Sequence, residues 1–215
     1  MSAPRLTSRL QGATRDLHRA VERAGTMRAL LRGHVEREQY CLMLRNLHAL
    51  YEALEAALDR HLHLVLVAPV RMPALYRTAA LAEDLRQLHG TGWNRLRLTE
   101  AMKSYVARID ELSRSLPPLL AAHAYVRYMG DLSGGRILRE IVRRALDLPD
   151  GEGIAFYTFA GGDDGEEIKA AFRNALDALP VDERLAQEIV SEAKAAFALH
   201  IQLFEELESA SVPRA

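Results

Sequence analysis

Apolar residues recur with a helical period along most of the chain. Leu10, Thr14, Leu17, Val21 and Ala24 follow one another at steps of four and three, placing them on one face of an amphipathic helix that ends near Gly25. Tyr40, Met43, Leu47, Leu50, Leu54 and Leu58 repeat the pattern and predict a second helix over 36–61. The stretch 64–73 holds Pro69 and Pro73 and reads as a connector. Shorter helices are predicted over 74–88 and 98–115. Pro117-Pro118 opens a long one that runs to about Leu146, ahead of Pro149. Two more follow, over 165–178 and 182–208. The run Ile154-Ala155-Phe156-Tyr157-Thr158-Phe159 resembles a strand, but a lone strand has no partner. It therefore reads as part of an ordered Gly- and Asp-rich loop over 151–165. Without an internal repeat or a break in composition, these elements make one all-α domain over 1–215, with a core from about 6 to 208 and short flexible termini.

Composition and charge narrow the partners. With 215 residues, 49% of them hydrophobic and 27% charged, the chain is long enough to bury a proper core. Twenty-eight basic and 29 acidic residues leave a net charge of −1, so no overall attraction draws it to nucleic acid or an acidic membrane. The single Cys41 excludes an intramolecular disulfide framework and suits a reducing compartment. Residues 1–18 lack the apolar stretch of a signal peptide, and the last residues, Ser211-Val212-Pro213-Arg214-Ala215, form no apolar tail. A soluble, cytoplasmic protein is expected.

The costliest feature is in the long helix, where Gly130, Gly134 and Gly135 fall within Tyr128-Met129-Gly130-Asp131-Leu132-Ser133-Gly134-Gly135-Arg136. Each glycine costs about 1 kcal/mol relative to alanine in a helix interior, roughly 2–3 kcal/mol for the trio. Gly130 and Gly134 share a face, which strips one side of the helix to backbone. Such a face serves either close packing of a second helix or close approach of a flat ligand. Asp131 lies beside it, with Arg127 four residues earlier and able to meet it.

Other polar constellations are equally two-sided. None of the eight histidines has Glu or Asp three residues before it, which argues against a di-iron bundle. His61 and His63 would point apart on a helix and make a poor zinc pair. There is no phosphate-binding glycine loop after a strand and no Gly-x-Ser-x-Gly elbow. His18 lies on the flank of the first helix with Gln11, Arg15 and Glu22. Glu22 can take one ring nitrogen and leave the other for a metal, or the row can be a solvated charge ladder. Lys169 and Arg173, also four apart, can clamp carboxylates or face solvent.

These residues together resemble the heme oxygenase family over about 10–207. The resemblance is carried by Ala13-Thr14-Arg15-Asp16-Leu17-His18-Arg19-Ala20-Val21-Glu22 and by Ala122-His123-Ala124-Tyr125-Val126-Arg127-Tyr128-Met129-Gly130-Asp131-Leu132-Ser133-Gly134-Gly135. Gly151-Glu152-Gly153-Ile154-Ala155-Phe156-Tyr157-Thr158-Phe159 and Ile201-Gln202-Leu203-Phe204-Glu205-Glu206-Leu207 support it. It implies an all-α fold that holds heme, substrate and cofactor at once, between a proximal and a distal helix. Heme is then cleaved with molecular oxygen and electrons to biliverdin, carbon monoxide and ferrous iron. By position, His18 would be the iron ligand and Glu22 its hydrogen-bonding partner. Gly130 and Gly134 would form the distal wall, and Asp131 would organise distal water with Tyr51 and Arg127. Arg15 would also bind the heme, Tyr125, Lys169 and Arg173 would lie near the propionates, and the grip of Lys169 and Arg173 implies α-meso cleavage.

The resemblance also implies a soluble electron donor, a reductase or ferredoxin-type protein, and a bilin-accepting protein as a further candidate partner. A monomer or weak dimer is expected. Two positions depart from the pattern. Gln11 stands where many relatives carry a propionate-binding lysine, and His200 where they often carry an asparagine of the distal network. A non-catalytic heme carrier or sensor on the same fold is the alternative function, and a bundle used only for protein contacts is a third.

Overall fold

The helical period accounts for most of the elements in the computed structural model of the chain, which describes residues 5–159 and 165–211. They are α1 (Leu6–Glu22), α2 (Gly25–Leu31), α3 (Arg37–Arg60), α4 (Thr78–His89), α5 (Glu100–Ser115), α6 (Leu120–Ala124), α7 (Gly130–Ala145), α8 (Glu166–Asp177) and α9 (Glu183–Ser211). The expected flexible ends at 1–4 and 212–215, and residues 160–164 of the loop, lie outside the described residues. α9 packs against α1, α2, α5 and α6, while α3 packs against α4 and α5. The apolar stripes meet in one core that includes Leu10, Leu50, Tyr51, Leu54, Tyr105, Ile109, Ile189 and Phe204, all nearly inaccessible to solvent. Each such side chain contributes about 1.5–3 kcal/mol of transfer free energy, set against the entropy of ordering the chain.

Three segments depart from what the pattern predicts, and each shapes the site. The residues after Gly25 form α2, whose seven residues are too few to display a period. Gly25 itself has φ +30°, and a Cβ there would overlap the Phe204 carbonyl, so α2 can press its backbone onto α9 only with glycine. The long helix after Pro117-Pro118 is interrupted. α6 passes into a π turn over Tyr125–Met129 before α7 resumes the ordinary pitch. Such turns widen the helix by one residue and break the face-to-face register on either side. The predicted helix over 74–88 starts later, at Thr78, because Pro73–Leu75 forms a separate tight turn.

The strand-like run is, as the lack of a partner strand predicts, an ordered segment with a single tight turn at Ala155–Tyr157. Two buried side chains at the start of α4 and within it hold it. Asp84 accepts the backbone N–H of Ala155 and of Phe156, each at 2.8 Å. Arg77 donates to the Thr158 carbonyl at 2.7 Å and lies over the Phe159 ring, 4.0 Å from its centroid. Main-chain polar groups that would belong to a sheet are thus satisfied by α4, and Phe156 and Tyr157 are delivered to the interior.

A second polar tie joins α5, α6 and α9. The Glu192 carboxylate takes Arg108 Nε and Nη2 at 3.1 and 2.6 Å and faces His123 Nε2 at 3.1 Å. Burial alone would push this carboxyl up, but hydrogen bonds from His123 and Arg108 and their charges outweigh it and hold it at about 2, against the ordinary 4.5. A depressed acid contributes stability that is present above its unfolded value and lost as pH falls through the folded one. The contribution is on the order of 3 kcal/mol at neutral pH. Wild type is therefore expected to lose more of its urea midpoint than Glu192→Gln between pH 4.5 and about 2. Parallel pH profiles for the two proteins would contradict this assignment.

Candidate active site

α1 and the π turn with α7 border a cleft of two adjoining chambers. The larger, about 620 Å³, is lined by Gln11, Thr14, Arg15, Tyr125, Ser133 and Arg173, among others. The smaller, about 200 Å³, is walled mainly by apolar side chains that include Met27, Leu30, Met43, Leu47, Phe156, Tyr157 and Phe204. His18, Glu22, Val126, Gly130 and Phe197 border both. Ligand pockets typically occupy a few hundred to about 1,000 Å³, with few polar groups placed against an apolar wall.

His18 reaches this cleft because it stands on the flank of α1 rather than on its buried stripe. Its ring is half-exposed, with Nδ1 3.4 Å from Glu22 Oε1 and its edge toward the Phe197 ring at 6.2 Å between centroids. With Nδ1 on the carboxylate, Nε2 is the nitrogen that can meet a ligand. Among the described residues, no three His, Cys, Asp or Glu side chains converge as a metal site.

The glycines resolve into two uses. Among the described residues, a Cβ on Gly130 or Gly134 would meet nothing within 4 Å, so no described helix packs there and this face opens onto the cleft. A Cβ on Gly135 would touch the Tyr157 side chain and carbonyl at 3.8 Å, which marks that glycine as packing against the held segment.

Beside the open face lies a buried polar network. Arg127 donates through Nη2 to Asp131 Oδ1 at 2.8 Å, through Nε to the Tyr51 hydroxyl at 3.0 Å, and through Nη1 to His200 Nε2 at 3.0 Å. The Tyr51 hydroxyl donates to Asp131 Oδ2. Burial pushes the Asp131 carboxyl above its ordinary value, opposed by the Arg127 charge and the Tyr51 hydrogen bond. Burial likewise raises the Tyr51 phenol well above its ordinary range, so it remains a donor. Each Asp131 oxygen thus spends one lone pair on the protein. A carboxylate has about four, and Asp131 borders the apolar chamber, where the remainder are available.

Most of the sequence-predicted residues converge on the cleft: His18, Glu22, Gly130, Gly134, Asp131 and Arg127 line it, with Tyr51 behind Asp131. Arg15, Tyr125 and Arg173 line the larger chamber, together with Gln11. Lys169 is not on that wall; its ammonium pairs with Glu166 at 3.1 Å, one turn before Arg173 on α8. Sequence reasoning missed the apolar lining from Met27, Leu30, Phe156, Tyr157 and Phe197. In sequence these look like any core residue; only the space left beside them sets them apart. His200 was legible as a departure from a pattern, and the structure makes it a member of the network.

Comparison with known proteins places the sequence and the fold in one family. The family model described as heme oxygenase matches residues 4–206. Human heme oxygenase 1 is 42% identical over 206 residues, covering 94% of this chain and 72% of that protein. Heme oxygenase 1 of Nostoc is 39% identical over 204 residues, covering 94% and 86%. Among solved structures, the heme oxygenase of Leptospira interrogans superposes with a TM-score of 0.90 at 39% identity over 94% of this chain and all of that one. Heme oxygenase-2 of Synechocystis, solved in complex with heme and NO, gives 0.93 at 40% identity over 96% and 86%. With one family model spanning nearly the whole chain and relatives about 40% identical over 94% of it, the chain belongs to the heme oxygenase family of heme-degrading oxidoreductases.

Proposed function

We propose that this protein opens heme at the α-meso carbon, using molecular oxygen and electrons from a soluble reductase or ferredoxin-type donor, and releases biliverdin, carbon monoxide and ferrous iron. The observation that carries the reading is the open wall at Gly130 and Gly134, bordering the same cleft as the half-exposed His18 and flanked by Asp131. The residues present fit the substrate. Space left by the glycines admits a flat macrocycle, the apolar chamber suits its body, and Arg15 and Arg173 in the larger chamber suit two carboxylate tails. Bound heme would supply the iron that binds and activates oxygen, and would itself be the molecule opened.

The protein's share is position and protons. His18 Nε2 would hold the heme iron, with Glu22 fixing the imidazole ring. Asp131 would hold water in the cleft and pass protons through it, with Arg127 and Tyr51 keeping its oxygens in place. Among the described residues no side chain intervenes on the glycine face, which would leave helix backbone to border the substrate. Selecting one meso carbon requires one in-plane orientation of the ring, the role given to Arg15, Tyr125 and Arg173. Lys169 would join them by leaving Glu166, because an exposed ion pair of this kind is worth only about 0–1 kcal/mol.

The test supplies heme, oxygen and a reductant to the purified protein. Loss of the Soret band with biliverdin and carbon monoxide appearing is the expected result, and isomer separation should give the α form. A Soret band that persists through repeated reduction would overturn the reading and leave a heme carrier or sensor. Among the described residues no helix is long and apolar enough to cross a membrane.

A narrower expectation concerns Gly134→Ala. The added methyl enters open space, and alanine is favoured over glycine in a helix by about 1 kcal/mol, so the heme-free protein should melt several degrees higher. The same methyl narrows the substrate wall and should slow heme degradation severalfold. Unchanged turnover in a stabilised variant would show that the open face is not where substrate lies.

A further inference from the structure

Arg127 is held by three acceptors, and one of them constrains its own chemistry. A guanidinium offers only hydrogens, so His200 Nε2, 3.0 Å from Nη1, must present a lone pair. The other ring nitrogen, Nδ1, is 2.9 Å from the Ala196 carbonyl, which can only accept. One state of the ring satisfies both contacts: neutral, with the proton on Nδ1. A charged ring would set Nε2–H against Nη1–H in a position only 2% exposed.

Titratable and aromatic groups face the ring from several elements. Tyr105 of α5 stands edge-on to the imidazole at 5.1 Å and 90°, with its hydroxyl on His123 of α6. Arg127 approaches from the π turn, Tyr51 and Asp131 act through Arg127, and Glu192 on α9 acts through His123. Burial first, and then the Arg127 charge, push the imidazole well below its ordinary range.

We propose that His200 is a positioning residue: as a fixed Nδ1-protonated acceptor it sets the plane of the Arg127 guanidinium, and Arg127 in turn aims Asp131 into the cleft. This rests on the role given above to Asp131 in proton delivery. The Ala196 carbonyl is the anchor. It commits the ring to one tautomer and so commits the far nitrogen to Arg127.

The first test uses heme-free protein labelled with 15N-histidine, the His200 signals being assigned by their loss in His200→Gln. Two-bond proton–nitrogen correlations should show a protonated Nδ1 and a bare Nε2, unchanged from about pH 8 to about pH 5.5, whereas an ordinary imidazole titrates near ~6.5. A proton on Nε2, or titration in the ordinary range, would overturn the proposal. The second test uses heme-loaded variants. His200→Leu removes the acceptor and should slow biliverdin formation about tenfold or more, while His200→Gln, whose amide oxygen can accept from Nη1, should recover most of the rate. A leucine variant as fast as wild type would overturn the positioning role, and if that variant fails to fold the tautomer measurement decides alone. A wild type that leaves heme intact would overturn the reading of Asp131, and the nitrogen signals would still decide the Arg127 contact.

Discussion

His18→Ala is expected to abolish heme degradation while leaving the fold intact. The ring is half-exposed on the flank of α1, and alanine is the best helix former, so stability should move by no more than about 0.5 kcal/mol. The loss falls on the ligand. Removing an outer partner of a metal ligand costs roughly 10- to 100-fold, and removing the ligand itself should cost more. The heme spectrum should change from that of a histidine-ligated iron. Added imidazole should restore both spectrum and turnover, since half-exposure leaves a path into the vacated space. A variant with an unaltered heme spectrum would show that another residue holds the iron.

Removal of the Asp131 carboxylate should separate heme binding from heme cleavage. In Asp131→Ala, Arg127 Nη2 and the Tyr51 hydroxyl lose their acceptors, and a buried cation stripped of its partner typically costs about 3–5 kcal/mol. Asp131→Asn is the gentler probe. Its amide oxygen can still accept from Arg127, but it cannot carry a proton. Both variants should bind heme, because His18 and the apolar side chains of the chamber are unchanged. Biliverdin formation should fall by about 100- to 10,000-fold, the usual range for a lost general acid or base. Normal yield from the asparagine variant would assign proton delivery to another group.

These two residues differ in how visible they are before the fold is known. His18 and Glu22 are four apart on a strongly periodic helix, so their contact follows from helix geometry; Arg127 and Asp131 have the same spacing and meet although the π turn intervenes. Resemblance supplied Tyr51 as a partner of Asp131. Nothing in the spacing of residues 80 positions apart could have done so; only the packing of α3 within the bundle brings the Tyr51 hydroxyl to Asp131. Lys169 and Arg173 are a pair in sequence, yet the structure places only Arg173 on the wall and gives Lys169 to Glu166. Local spacing says which side chains can share a face but not what that face looks upon.

The glycines show the division most plainly. Helical period and the cost of glycine were enough to establish an all-α chain with one face of backbone at Gly130 and Gly134, because both follow from local geometry. Whether that face packs a helix or admits a ligand is not a local property. It depends on what α1, α2, α9 and the segment held by Asp84 and Arg77 leave empty opposite it. The same holds for His200, whose tautomer depends on one carbonyl on its own helix and one guanidinium from a distant element. Elements and their exposed chemistry are written in short-range pattern. Empty space, and the direction in which a buried donor points, arise only when distant segments pack.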